Sequence, residues 1–247
     1  MLLPGSGWEP VSGGESATDV FRRGAVYAKC CGPAGVEELQ AERERVEWLA
    51  GTSMPGASVL DWIESDEGAA LLTSAVPGVA ASELPWSEKL VAGFASALRS
   101  LHDLPVSTCP FERPLTEVLG LAEDVVRRGA VNPDFLTDEW RLVEPSELLA
   151  RLHAELPEVA SKADLVVCHG DACLPNFLFD PDTLEFTGVI DLGRLGIADR
   201  HADLALVRAQ LADEWSVDAD SFFAVYGLTP DPQRLDFYHL LDPLTWG

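Results

Sequence analysis

Three oxygen-bearing side chains stand close together in the stretch VVCHGDACLPNFLFDPDTLEFTGVIDLGR, which runs from Val166 to Arg194. Asp171 follows one short apolar run, Asn176 comes five residues later, and Asp191 follows a second apolar run. Asp and Asn offer the hard oxygen ligands that Mg2+ prefers. A carboxylate that orients a hydroxyl, beside an amide and a carboxylate that hold metal, is the layout phosphoryl transfer needs. That reaction leaves little covalent work to the protein and depends on positioning and charge neutralisation. Each residue taken singly could equally cap a turn; the three in this order point to chemistry.

The first third of the chain supplies a complement. The run AVYAK ends in Lys29, and Glu42 lies on the helical segment that follows. A strand lysine held by a helical glutamate presents its ammonium to nucleotide phosphates, whereas the bland alternative is a solvated strand end. The chain has no Walker A sequence, and SGGESA lacks the full GxGxxG spacing. A loop covering phosphates would therefore rely on backbone N–H groups and on Ser16.

These residues need elements to hold them. Residues 8–29 read as β-rich, and residues 34–50 as a helix with Val36, Leu39, Val46 and Leu49 near one face. SVLDWIE and GAALLTSAV read as two strands around an SDEG turn, with Pro77-Gly78 breaking the pattern. Residues 87–103 predict a helix that opens on Ser87 as N-cap. Residues 115–129, 145–156, 203–214 and 232–242 also have helical spacing, and short strands are expected at 166–168, 177–179 and 187–190. The outline is α+β: a small β-rich lobe over residues 1–75, a hinge near 74–78, and a larger, mainly helical lobe over 76–247. A cleft between lobes is a common place for a ligand. His169 is expected to brace backbone, and His102 to be structural.

Composition narrows the partners. The chain has 247 residues, 47% of them hydrophobic, enough for two lobes with real cores. No apolar run approaches the roughly 20 residues of a membrane span, and the N-terminus does not read as a secretory signal. Five cysteines without a CxxC pair indicate neither a zinc site nor a disulfide framework, and fit a reducing cytoplasm. Forty-one acidic residues against 17 Lys and Arg give a net charge of −24. Nucleic acid is a poor partner for that surface. The charge serves either solubility or the attraction of a cationic ligand.

ELQAERERVEWLA, LLTSAVPG, LRSLHDLPVSTCPF, HGDACLPN, GVIDLGRLGIADRHADLAL and FYHLLD, in this order along the chain, resemble the aminoglycoside 3′-phosphotransferases, antibiotic kinases with a protein-kinase-like two-lobe fold. The resemblance covers almost the whole chain and implies ATP and Mg2+ as cofactors. It implies that Asp171 is the catalytic Asp, that Asn176 and Asp191 hold Mg2+, and that Lys29 and Glu42 form the phosphate-binding pair. Tyr27 takes the place of an aromatic that stacks on adenine, and Ser74 and Val76 fall in the hinge that meets adenine through backbone. Arg194 matches a substrate-side arginine, and Asp213, Glu214 and Asp242 match acidic positions that hold drug ammonium groups. Two departures stand out. The family often ends in LLDEFF, where this chain reads LLDPLTWG, and residues 130–147 match only loosely.

The expected activity is ATP-dependent phosphorylation of the 3′-hydroxyl of aminoglycosides of the kanamycin/neomycin type, conferring resistance. The alternatives are a related kinase acting on another antibiotic or an amino alcohol, and a catalytically silent binding protein of the same fold. Asp171→Asn keeps the size of the side chain and removes its carboxylate. Steady-state kinetics should show kcat falling on the order of 10²–10⁴-fold, the loss typical of a positioned general base, with nucleotide affinity retained. Wild-type turnover in this variant would overturn the assignment.

Overall fold

The run GAALL, Gly68 to Leu72, is buried without interruption because it lies on a central strand covered on both faces. Alternation sends Ala70 and Leu72 to one face, where they pack with Ala28 and Leu3 and against Trp8 and Phe21. Ala69 and Leu71 turn to the other face, with Cys31 and Leu39.

The computed structural model of the chain describes residues 3–11 and 18–247; Ser16 lies outside the described residues. The chain divides into two compact units, Met1–Pro85 with Pro175–Arg194, and Trp86–Leu174 with Leu195–Gly247. The class is α+β, a unit built on antiparallel sheet and a mainly helical one. No described helix is long and apolar enough to cross a membrane.

In the first unit, β1 (Glu9–Pro10), β2 (Asp19–Arg23), β3 (Val26–Cys31), β4 (Val59–Ser65) and β5 (Gly68–Ser74) form an antiparallel sheet in the order β1-β2-β3-β5-β4. Helix α1 (Val36–Ala50) buries Leu39, Glu42, Val46 and Leu49, one stripe at helical spacing. A glutamate in that stripe is the anomaly that the site explains. A smaller antiparallel sheet pairs β6 (Val79–Ala80) with β8 (Phe177–Phe179), and β8 with β9 (Phe186–Val189). Gly78 makes the turn into β6 with φ 100°, and a Cβ there would lie 2.4 Å from the Phe179 carbonyl oxygen.

The second unit holds α2 (Glu88–His102), α3 (Leu115–Arg128), α4 (Pro145–Ser161), α5 (His201–Trp215), α6 (Asp220–Tyr226) and α7 (Pro232–Leu241). Its strands β7 (Leu165–Cys168) and β10 (Gly196–Asp199) pair antiparallel. The Ser87 side chain accepts the Leu90 N–H at 3.2 Å and caps α2 as its sequence predicts. Helix α4 outruns its expected end. It passes through the exposed Pro157 to Ser161, and the fully buried Val159 beyond the proline holds that last turn by packing. Sequence periodicity also passes over β6, β10 and α6, whose two, four and seven residues are too few to carry a period.

One buried ion cluster ties α5 to α7. Asp199 is 4% exposed and accepts from both Nε (3.0 Å) and Nη2 of Arg234 and from the His201 backbone N–H at 3.1 Å. The Asp231 N–H donates to His201 Nε2 at 3.1 Å, so the ring proton sits on Nδ1, facing Asp199 at 3.2 Å. Burial works against the Asp199 carboxylate, yet His201 and Arg234 outweigh it and hold its pKa below the ordinary aspartate value. A carboxyl depressed in the folded state contributes stability above its unfolded pKa and loses it as pH falls through the folded one. Asp199→Asn leaves Arg234 buried without its counter-charge and should cost roughly 3–5 kcal/mol at pH 7. Denaturant unfolding of both proteins at pH 7 and below pH 4 should show that gap narrowing in acid; a pH-independent gap would count against the ionic account.

Candidate active site

The first part of the site follows from strand alternation. Ala28 points to the face that packs Leu72, so its neighbours Tyr27 and Lys29 point to the opposite face, where α1 lies. There the Lys29 ammonium donates to Glu42 Oε2 at 2.8 Å and to Asp191 Oδ1 at 3.0 Å. Glu42 is 8% exposed, which accounts for the acid in the apolar stripe of α1. Burial is the largest influence on Lys29 and opposes its charge, but the two carboxylates overcome it and raise its pKa above the usual lysine value. Burial likewise pushes Glu42 up, against the pull of Lys29. The sequence pairs Lys29 with Glu42; Asp191 as a second partner emerges only from the fold.

Register explains how Asn176 and Asp191 come to one place. Phe177 pairs with Val189, so Asn176 enters β8 at the end where Asp191 leaves β9. The Ile190 N–H donates to the Asn176 carbonyl at 3.0 Å and closes that end. Asp191 sits at φ 59°, a left-handed conformation that is uncommon for a residue with a Cβ and that concentrates at functional sites. Two side-chain oxygen donors delivered by one hairpin, one neutral and one anionic, fit a hard divalent cation.

Along the expected adenine edge, Tyr27 is half-buried, with the Arg22 guanidinium 5.4 Å from its ring centre. Ser74 closes β5; its N–H donates to the Ser58 carbonyl, and its hydroxyl accepts the Ser58 N–H, each at 2.9 Å. Its backbone donor is thus committed. Val76 is buried, and its backbone enters no hydrogen bond among the described residues. Arg194 is half-buried at the end of the first unit.

Asp171 belongs to the second unit, on a loop that α5 holds at both ends. The Asp203 carboxylate accepts the His169 N–H at 2.7 Å and the Gly170 N–H at 2.9 Å. Gln210, two helical turns further along the same face, accepts the Leu174 N–H at 3.3 Å. Gly170 turns the chain at φ 80°, and the Cys173 N–H closes onto the Asp171 carbonyl at 2.9 Å. Asp171 itself is half-buried. Asp203 is fully buried; its hydrogen bonds and neighbouring histidines keep its pKa below the usual value in spite of that burial. Sequence reasoning missed it. The available signal was an Asp beside Leu204 and Val207 on the buried face of a helix, where an unpaired carboxylate would be costly.

The acids expected to meet substrate lie on the second unit. Asp213 and Glu214 are exposed near the end of α5, and Asp242 is half-buried just after α7, with Trp246 Nε1 at 3.4 Å from its carboxylate. The charge of Asp213 reaches His239 on the last turn of α7. Trp140 packs edge-on against His239 at 4.8 Å, and Phe135 against Trp246 at 6.2 Å. The loosely matching segment therefore lies against this same end and adds the exposed Asp134, Asp138 and Glu139 to it. The altered tail is packed rather than free: Pro243, Leu244 and Thr245 are buried.

Residues 7–238 match the model of the phosphotransferase enzyme family. Across 98% of its length the chain is 52% identical to the streptomycin 3″-kinase of Streptomyces griseus, of which it covers 94%. It is 40% identical to an aminoglycoside 3′-phosphotransferase of Streptomyces fradiae, over 95% of this chain and 94% of that one. The solved structure of the aminoglycoside phosphotransferase APH(3″)-Id of Streptomyces rimosus, in complex with ADP and streptomycin, superposes with a TM-score of 0.89 at 48% identity. That match spans 97% of this chain and 93% of the other. The chain belongs to the phosphotransferase enzyme family and carries the kinase-like fold of its aminoglycoside-phosphotransferase members.

Proposed function

We propose that this chain uses ATP to phosphorylate the 3″-hydroxyl of streptomycin, and so confers resistance. The observation that carries this reading is the higher identity to a streptomycin 3″-kinase, 52%, than to 3′-phosphotransferases, 40–42%. The 3′-hydroxyl of kanamycin or neomycin, expected from the sequence motifs, stays as the second reading, favoured by those same 3′ relatives. Streptomycin carries guanidinium groups, which bind carboxylates through paired hydrogen bonds. The acids at the ends of α5 and α7, Asp213, Glu214 and Asp242, suit such a polycation.

The residues divide the work. The first unit takes the nucleotide, with Tyr27 against the adenine and Val76 offering its backbone beside Ser74. Lys29, aimed by Glu42, meets the phosphates. Asn176 and Asp191 would hold Mg2+, which neutralises phosphate charge when bound. Asp171 orients the substrate hydroxyl and accepts its proton as the new oxygen–phosphorus bond forms and the bond from the γ-phosphorus to the bridging oxygen of ADP breaks, and Arg194 lies on the substrate side.

Purified protein with ATP and Mg2+ should release ADP in response to streptomycin, and phosphorus NMR should locate the product phosphate on the 3″ oxygen. Turnover with kanamycin and none with streptomycin would transfer the assignment to the second reading. The metal roles are tested by magnesium titration. Asn176→Ala removes a neutral ligand, and raised Mg2+ should partly restore its activity. Asp191→Ala removes an anionic ligand and one partner of Lys29, and should resist rescue. Wild-type titration curves for both variants would remove both residues from the metal site.

A further inference from the structure

Helix α6 has no part in the machinery described so far, yet its last residue, Tyr226, is 1% exposed and its hydroxyl lies 2.6 Å from His102 Nδ1. The other ring nitrogen, Nε2, lies 3.0 Å from Asp203 Oδ2. Donor and acceptor chemistry fixes the hydrogens along this path. An ionised carboxylate only accepts, so His102 Nε2 carries the proton that faces Asp203. In neutral His102, Nδ1 is then a lone pair, and the Tyr226 hydroxyl donates to it. The tyrosine oxygen in turn accepts from Arg200 Nη1 at 3.0 Å. Burial pushes the Tyr226 hydroxyl up to about 12, which keeps that proton in place. Arg200 pairs with the half-exposed Asp164 at 2.7 Å.

Tyr226 is also clamped. Phe222 stacks on it at 6.0 Å and 11°, the Arg99 guanidinium lies 5.6 Å from its ring centre, and Arg99 Nη1 donates to its carbonyl at 3.2 Å. The neighbouring Cys168 does not make the cluster a metal trio. Its thiol is held protonated by burial and donates to the carbonyls of Ala198 and Asp199 at 3.6 and 3.5 Å.

We propose that Tyr226 is a positioning residue for Asp171: its hydroxyl fixes the His102 tautomer, which orients the Asp203 carboxylate that holds the His169 and Gly170 N–H groups. Without that hydroxyl, Nδ1 is a buried acceptor with no donor. The opposite tautomer would turn the Nε2 lone pair onto the carboxylate. Either way Asp203 loses a directed partner, and the loop bearing Asp171 loosens.

The activity arm of the test rests on the kinase reading; the exchange arm does not. Amide hydrogen exchange on Tyr226→Phe, with no ligand present, should show protection of the His169 and Gly170 N–H groups falling about five- to tenfold, the change that one lost buried hydrogen bond corresponds to. The amides of Phe94 and Leu98 on α2 should keep theirs. With ATP and streptomycin, kcat should fall by a similar factor while KM for ATP stays within about twofold. Tyr226→Phe combined with His102→Gln should be no slower than His102→Gln alone, because both act on one path. If Tyr226→Phe fails to fold, Arg200→Gln cuts the path one step further out and should loosen the same two amides. Wild-type protection at His169 and Gly170, an equal loss at every amide, or loosened amides with unchanged kcat would each overturn the proposal. If the wild type phosphorylates neither streptomycin nor kanamycin, the substrate reading fails, and the exchange pattern still decides the role of Tyr226.

Discussion

A carboxylate with no exposed surface holds the loop that carries Asp171. Asp203 receives two backbone N–H groups from the loop that carries Asp171 and one imidazole N–H from α2. Burying such a group without partners would be prohibitive. With three donors directed at it, the same burial makes each bond stronger and the geometry stiffer. The arrangement is self-consistent: the loop needs the carboxylate to satisfy its N–H groups, and the carboxylate needs the loop to stay charged.

The first unit solves a different problem, that of keeping a buried ammonium charged and fixed. Lys29 is shared between a carboxylate in a buried helix stripe and one at the open end of a hairpin. The two anions differ in exposure: the Glu42 side chain is 11% exposed and that of Asp191 45%. Glu42 is therefore the partner shielded from water, and Asp191 the one that water reaches. One cation thus bridges a buried glutamate and a half-exposed aspartate.

Much of this was legible in the sequence because local rules carry it. The Ser87 cap, the central strand GAALL and the α1 stripe all obey period and capping chemistry, and Lys29 and Glu42 meet because strand and helix periods both turn them inward. Other features escaped because they depend on contacts far apart in the chain. Asp203 reads as one more acid in an acidic sequence until the loop at 169–170 lies beneath it. Tyr226 ends a helix too short to announce itself, and its partner His102 is 124 residues away. The acids at 213, 214 and 242 are legible as charge, while Trp140 against His239, which brings the 133–144 segment to the same end, has no sequence signature.

Helix α5 grips the loop at two points separated by a whole number of turns, with Asp203 at one end of the loop and Gln210 at the other. A helix advances about 100° per residue. One residue added or removed between them would swing one grip a quarter-turn or more away from the other, whatever the residue was. Substitution can tune this interval, but its length behaves as a measured part. The segment between α3 and α4 is held by side-chain packing, Trp140 on His239, Phe135 on Trp246 and the buried Leu136, with no such repeated interval between its anchors. Within such a lineage, diversification of the chain would be written as insertions in one place and only as changes of letter in the other.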